Sequence, residues 1–371
     1  MYVSIQIGGR LCSDAVIANR WEMYMKKISI IIPCYNVEQY LDRCFQSLVS
    51  QTLGFENMEL IFINDASADG TLARLLEYEK QYPDNIVVIN FEENQSQGTA
   101  RNVALDYASA PYIGYVDSDD WVDSAMYEKL LATIEEHDCD FVECKWDFVD
   151  KEGKKQYPSW FFEPGYVDLT DGTVKADFVC GHVAMAMLWN KVFKKSFLVE
   201  NDIFCLERIR YEDFFFCHLA FIYAKSYCFI GDELYHYFKN DNGIVQRKHK
   251  EYQFDKMDVA FEFLQTCINR NLMQQDKDNI EWLFLEKYYI YMLIEVFEEF
   301  PDRAYSIFLK MQKTIRKYVP DYKIHPYRTW EINQMDDTML HLLDYDLSEG
   351  QFASLKERLM KKIQELEGVG L

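Results

Sequence analysis

The stretch Tyr112-Ile113-Gly114-Tyr115-Val116-Asp117-Ser118-Asp119-Asp120 joins a short apolar run to three carboxylates within four residues. An apolar run of this length is typical of a buried strand. Carboxylates this close together repel one another, which lowers stability unless a cation lies between them. Hard divalent cations such as Mg²⁺ and Mn²⁺ prefer oxygen ligands of this kind. The stretch therefore predicts a buried strand that ends in a cation site. The alternative is a solvated acidic turn before a helix.

The sequence before this stretch repeats the same alternation of a strand and a helix. Strands are predicted over 28–32, 60–63 and 86–89, and helices over 40–48, 71–82 and 98–108. Strands separated by helices of about 10–15 residues predict a mainly parallel sheet, and Pro33 should end its first strand. Ligands of such sheets bind beyond the carboxyl ends of the strands. The polar residues that follow each strand are therefore expected at one edge.

The remaining chain divides into regions of different character. We expect residues 1–26 to be a poorly ordered leader, or the product of an upstream start, and residues 27–245 to form the α/β domain. Residues 147–172 are predicted to be a loop or insertion, because Pro and Gly are frequent there. The region 246–371 is expected to be a helical extension. Its helices are predicted over 252–268, 280–300, 304–318 and 349–366.

Charge and cysteine usage exclude several classes of protein. The formal net charge of −22 disfavours nucleic acid as a partner, because phosphate binding relies on clustered Lys and Arg. No run of about 18 apolar residues predicts a transmembrane helix, and no signal peptide is evident. The ten cysteines include no Cys-x-x-Cys pair. We expect them to be reduced, buried thiols of a cytoplasmic protein.

Two segments after the first strands are candidates for a nucleotide pocket. Pro33-Cys34-Tyr35-Asn36 would place an aromatic ring at the sheet edge, where a nucleobase could stack, although it is equally a simple strand terminator. Asp65 directly follows an apolar strand, and its carboxylate can accept a hydrogen bond from a base N–H. The residues after it, 66–71, are also explained as a turn before an N-capped helix.

Two further segments carry charged residues at helix starts. Gly98-Thr99-Ala100-Arg101-Asn102 opens a helix, whose N-terminus favours anions, and Arg101 adds a charged fork for a diphosphate. The alternative is that Arg101 neutralises the acidic cluster. Tyr211-Glu212-Asp213 begins a helix with an aromatic run. Apolar surroundings raise the pKa of a carboxyl group and make it a better base, although a helix-capping role is also open.

Together these residues resemble glycosyltransferase family 2, the inverting sugar transferases with the Rossmann-like GT-A fold, over about residues 27–240. The resemblance implies that Asp117 lies near the ribose, that Asp119 ligates Mg²⁺ or Mn²⁺ on the diphosphate, and that Asp213 is the catalytic base. The family's glycine after Asp65 is replaced by Ala66. Trp189-Asn190-Lys191 is similar to the family's Trp-Asn-Lys strand beneath the acceptor site, and a simply buried Trp189 is the alternative.

The resemblance assigns a full set of site residues. His236 is a candidate third metal ligand, with a packed histidine as the alternative. Arg247 belongs to the basic cluster Arg247-Lys248-His249-Lys250, which is expected either to close over the phosphates or to be a solvated loop. The residues predicted to bind the nucleotide sugar are Pro33, Tyr35, Asn36, Asp65, Arg101, Asn102, Asp117, Ser118, Lys191, Glu212 and Arg247.

The implied activity is metal-dependent transfer of a hexose or N-acetylhexosamine from a UDP-sugar to a hydroxyl group. The acceptor is expected to be a glycan, a lipid-linked sugar or a glycoprotein, in bacterial polysaccharide, cell-envelope or glycoprotein glycan synthesis. The alternative is a catalytically silent member of the family that acts as an assembly partner. We expect the protein in the cytoplasm or at the inner face of the cell membrane. Peripheral membrane contact and self-association through the C-terminal helices both stay open.

Overall fold

The computed structural model describes residues 26–156, 163–180, 185–239, 251–329 and 339–367. The chain forms two compact units, Met1–Gln246 and Arg247–Leu371. The predicted leader, apart from Lys26, and the basic cluster with Arg247 lie outside the described residues. The two units are taken in turn below.

The described part of the first unit is built on a ten-stranded mixed sheet with the order β3-β2-β1-β4-β9-β6-β10-β5, in which β7 pairs with β6 and β8 with β10. The strands are β1 (Ile28–Cys34), β2 (Met58–Asn64), β3 (Ile86–Asn90), β4 (Tyr112–Tyr115), β5 (Trp121–Val122), β6 (Phe141–Val149), β7 (Lys155–Gln156), β8 (Gly165–Asp168), β9 (Lys191–Lys194) and β10 (Ser226–Phe238). Every residue of β1 and β2 is buried, as expected for strands covered by helices on both faces.

Helices connect these strands. They are α1 (Glu38–Val49), α2 (Thr71–Gln81), α3 (Gln97–Tyr107), α4 (Met126–His137), α5 (Gly172–Cys180), α6 (Lys195–Glu200) and α7 (Glu212–Tyr223). The four strands and three helices predicted before the acidic stretch are confirmed, with bounds that differ by a few residues. The α/β class is therefore confirmed as well. Each cysteine whose side chain the structure describes is buried and outside any disulfide, as predicted.

The predicted parallel pairing holds for β1 to β4, while β9, which the prediction did not cover, runs antiparallel to both β4 and β6. The structure corrects two other predictions. Pro33 does not end β1: it pairs with Ile63 of β2. The missing N–H of Pro33 is tolerated because β4 pairs with β1 only as far as Ile31. The segment 147–172 is not simply a loop, since β6 continues to Val149 along its partner β10.

The second unit is helical in the part that the structure describes. Its helices are α8 (Asp255–Asn269), α9 (Lys277–Phe284), α10 (Tyr291–Glu299), α11 (Ala304–Tyr318) and α12 (Glu349–Glu367), and a π-helical turn at Leu285–Ile290 joins α9 to α10. The predicted helical extension is thus confirmed. Among the described helices none combines the length and the apolar character needed to cross a membrane.

A buried polar network fixes β9 against β6, where Glu143 is paired in register with Lys191. Lys191 has no exposed surface, and its Nζ donates to the carbonyls of Met185 (2.7 Å) and Met187 (2.9 Å) and to Oδ1 of Asn190 (3.0 Å). Its ammonium also lies 3.3 Å from Glu143. The donors of Lys191 are bonded to the protein in this structure, and its binding of the nucleotide sugar stays a prediction.

Replacement of Lys191 by alanine should destabilise the first unit. Glu143 would then be a buried carboxylate without its cation, so the free energy of unfolding should fall by about 3–5 kcal/mol. Urea denaturation of the full chain measures this value. Lys129→Ala is the control: the Lys129–Asp232 pair is half-exposed, and solvent screens it. Equal losses in the two variants would contradict the assigned role of the buried pair.

Candidate functional site

The acidic stretch after β4 forms a turn, which the Asp120 N–H closes by donating to the Asp117 carbonyl at 3.0 Å. The turn leaves Asp117 and Asp119 partly exposed and buries Ser118 and Asp120. Asp117 and Asp119 are thus the carboxylates of the turn that keep exposed surface. Ser118 lies on the buried side of the turn and is 5% exposed. Its binding of the nucleotide sugar stays a prediction.

Asp120 fastens this turn to β10. Its two oxygens accept hydrogen bonds from the Tyr235 hydroxyl and the Phe238 N–H, each at 2.7 Å. The Tyr235 hydroxyl also accepts the Asp117 N–H at 3.2 Å. Burial, together with the Asp119 and Asp117 carboxylates, raises the pKa of Asp120 well above its ordinary value. Asp120 therefore positions the turn and does not face the ligand side.

Arg101 joins the turn to the start of α7. Its Nη2 lies 2.9 Å from Oδ1 of Asp117, and its Nη1 lies 2.5 Å from Oε1 of Glu212. Burial disfavours the charge, but the Asp117 and Glu212 carboxylates raise the pKa of Arg101, so it stays charged. Arg101 thus neutralises the acidic cluster, as the alternative expectation had it. Glu212 is buried against Arg101. The contacts of Arg101 and Glu212 with the nucleotide sugar stay predictions.

Asp117 keeps one oxygen for a ligand. Oδ1 accepts hydrogen bonds from Arg101 and, at 2.9 Å, from Nε2 of Gln97. Among the described residues these two bonds are the side-chain contacts that the carboxylate makes, and both fall on the same oxygen. The Asp117 side chain is 24% exposed. Its Oδ2 is therefore the atom that can meet a ligand.

Asp213 follows Glu212 on the first turn of α7. Burial and the neighbouring Glu212 carboxylate raise the pKa of Asp213 to about 7. The residue before this pair, Tyr211, has a φ of 64°, a left-handed conformation that is costly for a bulky residue. The backbone is thus bent sharply at Tyr211, immediately before Glu212 and Asp213.

Asp65, at the end of β2, holds the loop that leads into α3. Its Oδ1 accepts the Gln95 N–H at 2.6 Å, and its Oδ2 accepts the Ser96 N–H at 3.1 Å. The side chain is 4% exposed, and burial raises the pKa of Asp65 in spite of these bonds. Asp65 therefore holds the backbone of Gln95 and Ser96, and a base N–H could reach only its remaining lone pairs.

The loop after β1 presents an exposed aromatic ring beside Asp65. Tyr35 is 52% exposed, whereas Pro33 is buried within β1. Asn36 ties this loop to the next one, because its Oδ1 accepts the Ala68 N–H at 2.8 Å. Ala66 has a φ of 57°, the left-handed conformation that glycine adopts most easily. The turn thus keeps the left-handed backbone conformation typical of glycine, although the residue at this position is alanine.

Asn102 has a structural role that the sequence did not indicate. Its Nδ2 donates to the Cys205 carbonyl at 2.9 Å, and its Oδ1 accepts the Cys205 N–H at 2.8 Å. The contact of Asn102 with the nucleotide sugar stays a prediction. Beside it, a Cβ on Gly98 would lie 2.1 Å from the Leu206 carbonyl oxygen, so only glycine allows this approach. Both residues hold the segment that leads to Glu212.

Comparison with known proteins gives this arrangement a family. The sequence model of Glycosyl transferase family 2 matches residues 29–197, which include β1 to β9 and the acidic turn. Over this segment the first unit is similar to family 2 glycosyltransferases. A poly(ribitol-phosphate) beta-glucosyltransferase of Bacillus spizizenii is 33% identical over 219 residues, which make up 58% of this chain and 33% of that protein. The chain spans between 32% and 64% of the length of three such curated relatives.

Solved structures show the same fold. The crystal structure of Staphylococcus aureus TarS aligns with a TM-score of 0.56 and 25% identity, over 71% of this chain and 43% of that one. TarS 1–349 in complex with UDP-GlcNAc aligns with a TM-score of 0.55 and 21% identity, over 80% and 92% of the two chains. The GT-A fold predicted for this glycosyltransferase domain is thus confirmed.

The predicted metal ligands lie in different surroundings. Asp119 is on the accessible side of the turn, and its carbonyl accepts a hydrogen bond from Arg43 Nη2 at 2.8 Å. His236 lies on β10, and its Nδ1 is 2.8 Å from the fully buried Asp147. A carboxylate on one ring nitrogen orients a histidine whose other nitrogen meets a ligand, but it also suits a packed histidine. The role of His236 stays a prediction.

A separate cluster appears in the second unit. Among the described residues, the one group of three side chains with metal-ligand geometry is Asp278, Glu281 and His325. His325 already uses both ring nitrogens, with Nε2 at 3.1 Å from the Asp278 carbonyl and Nδ1 at 3.3 Å from the Tyr327 N–H. Burial lowers the pKa of His325 to about 4. These contacts explain why the three side chains lie close together without a metal ion.

Tyr235 and Gln97 are the site residues that the sequence analysis missed. A signal for Tyr235 was present, because the alternation Tyr235-His236-Tyr237 places both tyrosines on one face of β10. Gln97 had no comparable signal. Its contact with Asp117 depends on how α3 meets β4 in three dimensions.

Replacement of Tyr235 by phenylalanine should weaken the attachment of the turn. The variant loses the bond to Asp120 and leaves the Asp117 N–H without its acceptor, so the free energy of unfolding should fall by about 1–3 kcal/mol. Urea denaturation measures the change. Tyr166→Phe, on half-exposed β8, is the control and should match the wild-type protein. A Tyr235→Phe variant of wild-type stability would rule out this role of the hydroxyl.

Proposed function

We propose that the first unit is an inverting glycosyltransferase that moves a hexose or N-acetylhexosamine from a UDP-sugar to a hydroxyl group, in bacterial cell-wall glycan synthesis. The observation that carries the proposal is the contact of Arg101 with both Asp117 and Glu212. It brings the acidic turn and the Glu212–Asp213 pair to one site. The relatives support the substrate class, since one is named a poly(ribitol-phosphate) glucosyltransferase and TarS was solved with UDP-GlcNAc.

In the proposed donor site, Tyr35 would stack on the uracil, Asp65 would accept its N–H, and Oδ2 of Asp117 would meet the ribose. Asp119 fits Mg²⁺ or Mn²⁺, because it offers hard oxygen ligands on the exposed side of a turn that carries excess negative charge. Asp120 does not belong to this ligand set, since both of its oxygens are bonded within the protein. A bound cation would neutralise charge on the diphosphate.

In the proposed reaction, Asp213 takes the proton of the acceptor hydroxyl as its oxygen attacks the anomeric carbon. The bond from that carbon to the UDP oxygen breaks on the opposite face, and UDP leaves with the bonding electrons. A single displacement inverts the anomeric configuration. The raised pKa of Asp213 suits the task, because a base with a pKa near the working pH is both ionised and a good proton acceptor.

The rate should depend on pH through Asp213. Only the ionised carboxylate can accept a proton, so kcat/KM should rise about tenfold per pH unit below pH 7 and level off above it. Asp213→Asn should lower kcat by a factor of about 10²–10⁴. Initial rates of UDP release over pH 5–9 measure both effects. Transfer by Asp213→Asn at the wild-type rate would disprove the mechanism and favour a different base.

Removal of divalent cations should stop the reaction. A screen of UDP-hexoses and UDP-N-acetylhexosamines for UDP release, with Mn²⁺ and with EDTA, measures this dependence and identifies the donor. We expect activity with Mn²⁺, loss with EDTA, and recovery when Mn²⁺ is added in excess. Asp119→Asn should need more Mn²⁺ for half-maximal activity. Turnover that is equal with and without EDTA would contradict the role of Asp119.

The acceptor class and the surroundings of the protein stay predictions. The acceptor is predicted to be a glycan, a lipid-linked sugar or a glycoprotein. The protein is predicted to lie in the cytoplasm with peripheral membrane contact, and to self-associate through the C-terminal helices.

A further inference from the structure

The segment 205–211 leads directly into α7 and lies against the start of α3. The Asn102 side chain, on α3, is bonded to both the N–H and the carbonyl of Cys205. One residue further on, the Leu206 carbonyl oxygen lies so close to Gly98 that a Cβ on this glycine would be 2.1 Å away. The first half of the segment is therefore fixed to α3.

Arg208 fixes the second half of the segment to the loop that precedes α3. Its N–H donates to Oγ of Ser96 at 2.8 Å, and its Nη2 donates to Oε1 of Gln95 at 2.7 Å. We call these two hydrogen bonds the clasp. The backbone N–H groups of Gln95 and Ser96 donate in turn to the Asp65 carboxylate. The clasp and Asp65 thus belong to one connected set of hydrogen bonds.

The backbone on both sides of the clasp adopts an uncommon conformation. The angle φ is 83° at Ser96, 57° at Arg208 and 64° at Tyr211. Residues other than glycine occupy this region rarely, and they persist there only when surrounding contacts hold them. The Arg208 side chain is exposed, so burial does not hold it. The hydrogen bonds of the clasp therefore stabilise the chain at Arg208 in this conformation.

The end of the segment sets the position of Asp213. Only residues 209–211 separate the clasp from the first turn of α7, which carries Asp213. The Tyr211 carbonyl accepts the Phe214 N–H at 3.2 Å, so the bend before α7 is continuous with the helix. Arg101 attaches the same turn to α3 through its ion pair at the start of α7. Asp213 is thus held by Arg101 through the helix start and by the clasp through the segment before it.

We infer that Ser96 and Arg208 are positioning residues for Asp213, an inference that rests on the proposed function. The clasp joins the loop bonded to Asp65, on the proposed nucleotide side, to the segment that carries the proposed base. A base acts only within hydrogen-bond reach of the hydroxyl that it deprotonates, and a small displacement lowers the rate steeply. The clasp therefore acts on the rate by fixing the base relative to the loop at Asp65.

The test is Ser96→Ala in the full chain, which removes the acceptor of the Arg208 N–H and keeps the backbone bond to Asp65. UDP release from the UDP-sugar, with water in place of the acceptor hydroxyl, gives kcat and KM, and calorimetry gives the affinity for UDP. We expect kcat to fall about 3- to 10-fold, which corresponds to the loss of one hydrogen bond. KM and the affinity for UDP should stay unchanged, because the variant displaces the base and not the nucleotide.

The matched control is Ser226→Ala, which removes an equivalent acceptor away from the site. Oγ of Ser226 accepts the Asp140 N–H at 3.3 Å. Ser226 is the first residue of β10, whereas the acidic turn is bonded to Phe238 at the other end of the strand. The control should therefore keep the kcat and KM of the wild-type protein.

Two further variants show whether the clasp acts through Asp213. Arg208→Met changes an exposed side chain, so it should fold even if Ser96→Ala does not. It keeps the backbone bond to Ser96 but loses the bond to Gln95, and kcat should fall by a smaller factor with the affinity for UDP unchanged. In an Asp213→Asn background, Ser96→Ala should cause no further fall in kcat, because no base is left to position.

Other outcomes would overturn the inference. An unchanged kcat in Ser96→Ala means that the clasp does not position the base, and an equal loss in the Asp213→Asn background means that it acts independently of the base. A loss of affinity for UDP in Arg208→Met means that the guanidinium contacts the nucleotide instead. The proposed function fails separately: in that case the wild-type protein neither binds a UDP-sugar nor releases UDP. Activity that depends on Asp213 but not on the clasp leaves the proposed function standing.

Discussion

The buried guanidinium of Arg101 is the contact on which the candidate site depends. It pairs with Asp117 after β4 and with Glu212 at the start of α7, two positions far apart in the sequence. Without it, both carboxylates would be left partly or fully buried without a counter-charge, and an unpaired buried charge costs several kcal/mol. The arginine therefore keeps both groups at one edge of the sheet, and Asp213 comes with Glu212.

The acidic turn is held from a second side by β10. Asp120 accepts hydrogen bonds from Tyr235 and from the backbone of Phe238, while Arg101 and Gln97 occupy one oxygen of Asp117. Asp120 and one oxygen of Asp117 are thus held within the protein. Asp117 and Asp119 keep exposed surface. Preorganisation of this kind spares a ligand the cost of ordering the turn when it binds.

Burial sets the chemistry of the site as well as its geometry. Desolvation raises the pKa of Glu212 in spite of the ion pair with Arg101, and desolvation with the Glu212 charge raises that of Asp213 to about 7. The raised pKa of Asp213 is therefore a product of its low-dielectric environment.

The sequence by itself determined the strands and helices around β1 to β4, because hydrophobic periodicity is a local property. It also determined which segments carry carboxylates at strand ends, and hence the family resemblance. Only the tertiary structure decided which of these side chains are buried and which keep exposed surface. Lys191, Asn102 and Glu212 are bonded to partners distant in the chain, and Ser118 is buried. Long-range packing sets orientation, and local sequence carries no record of it.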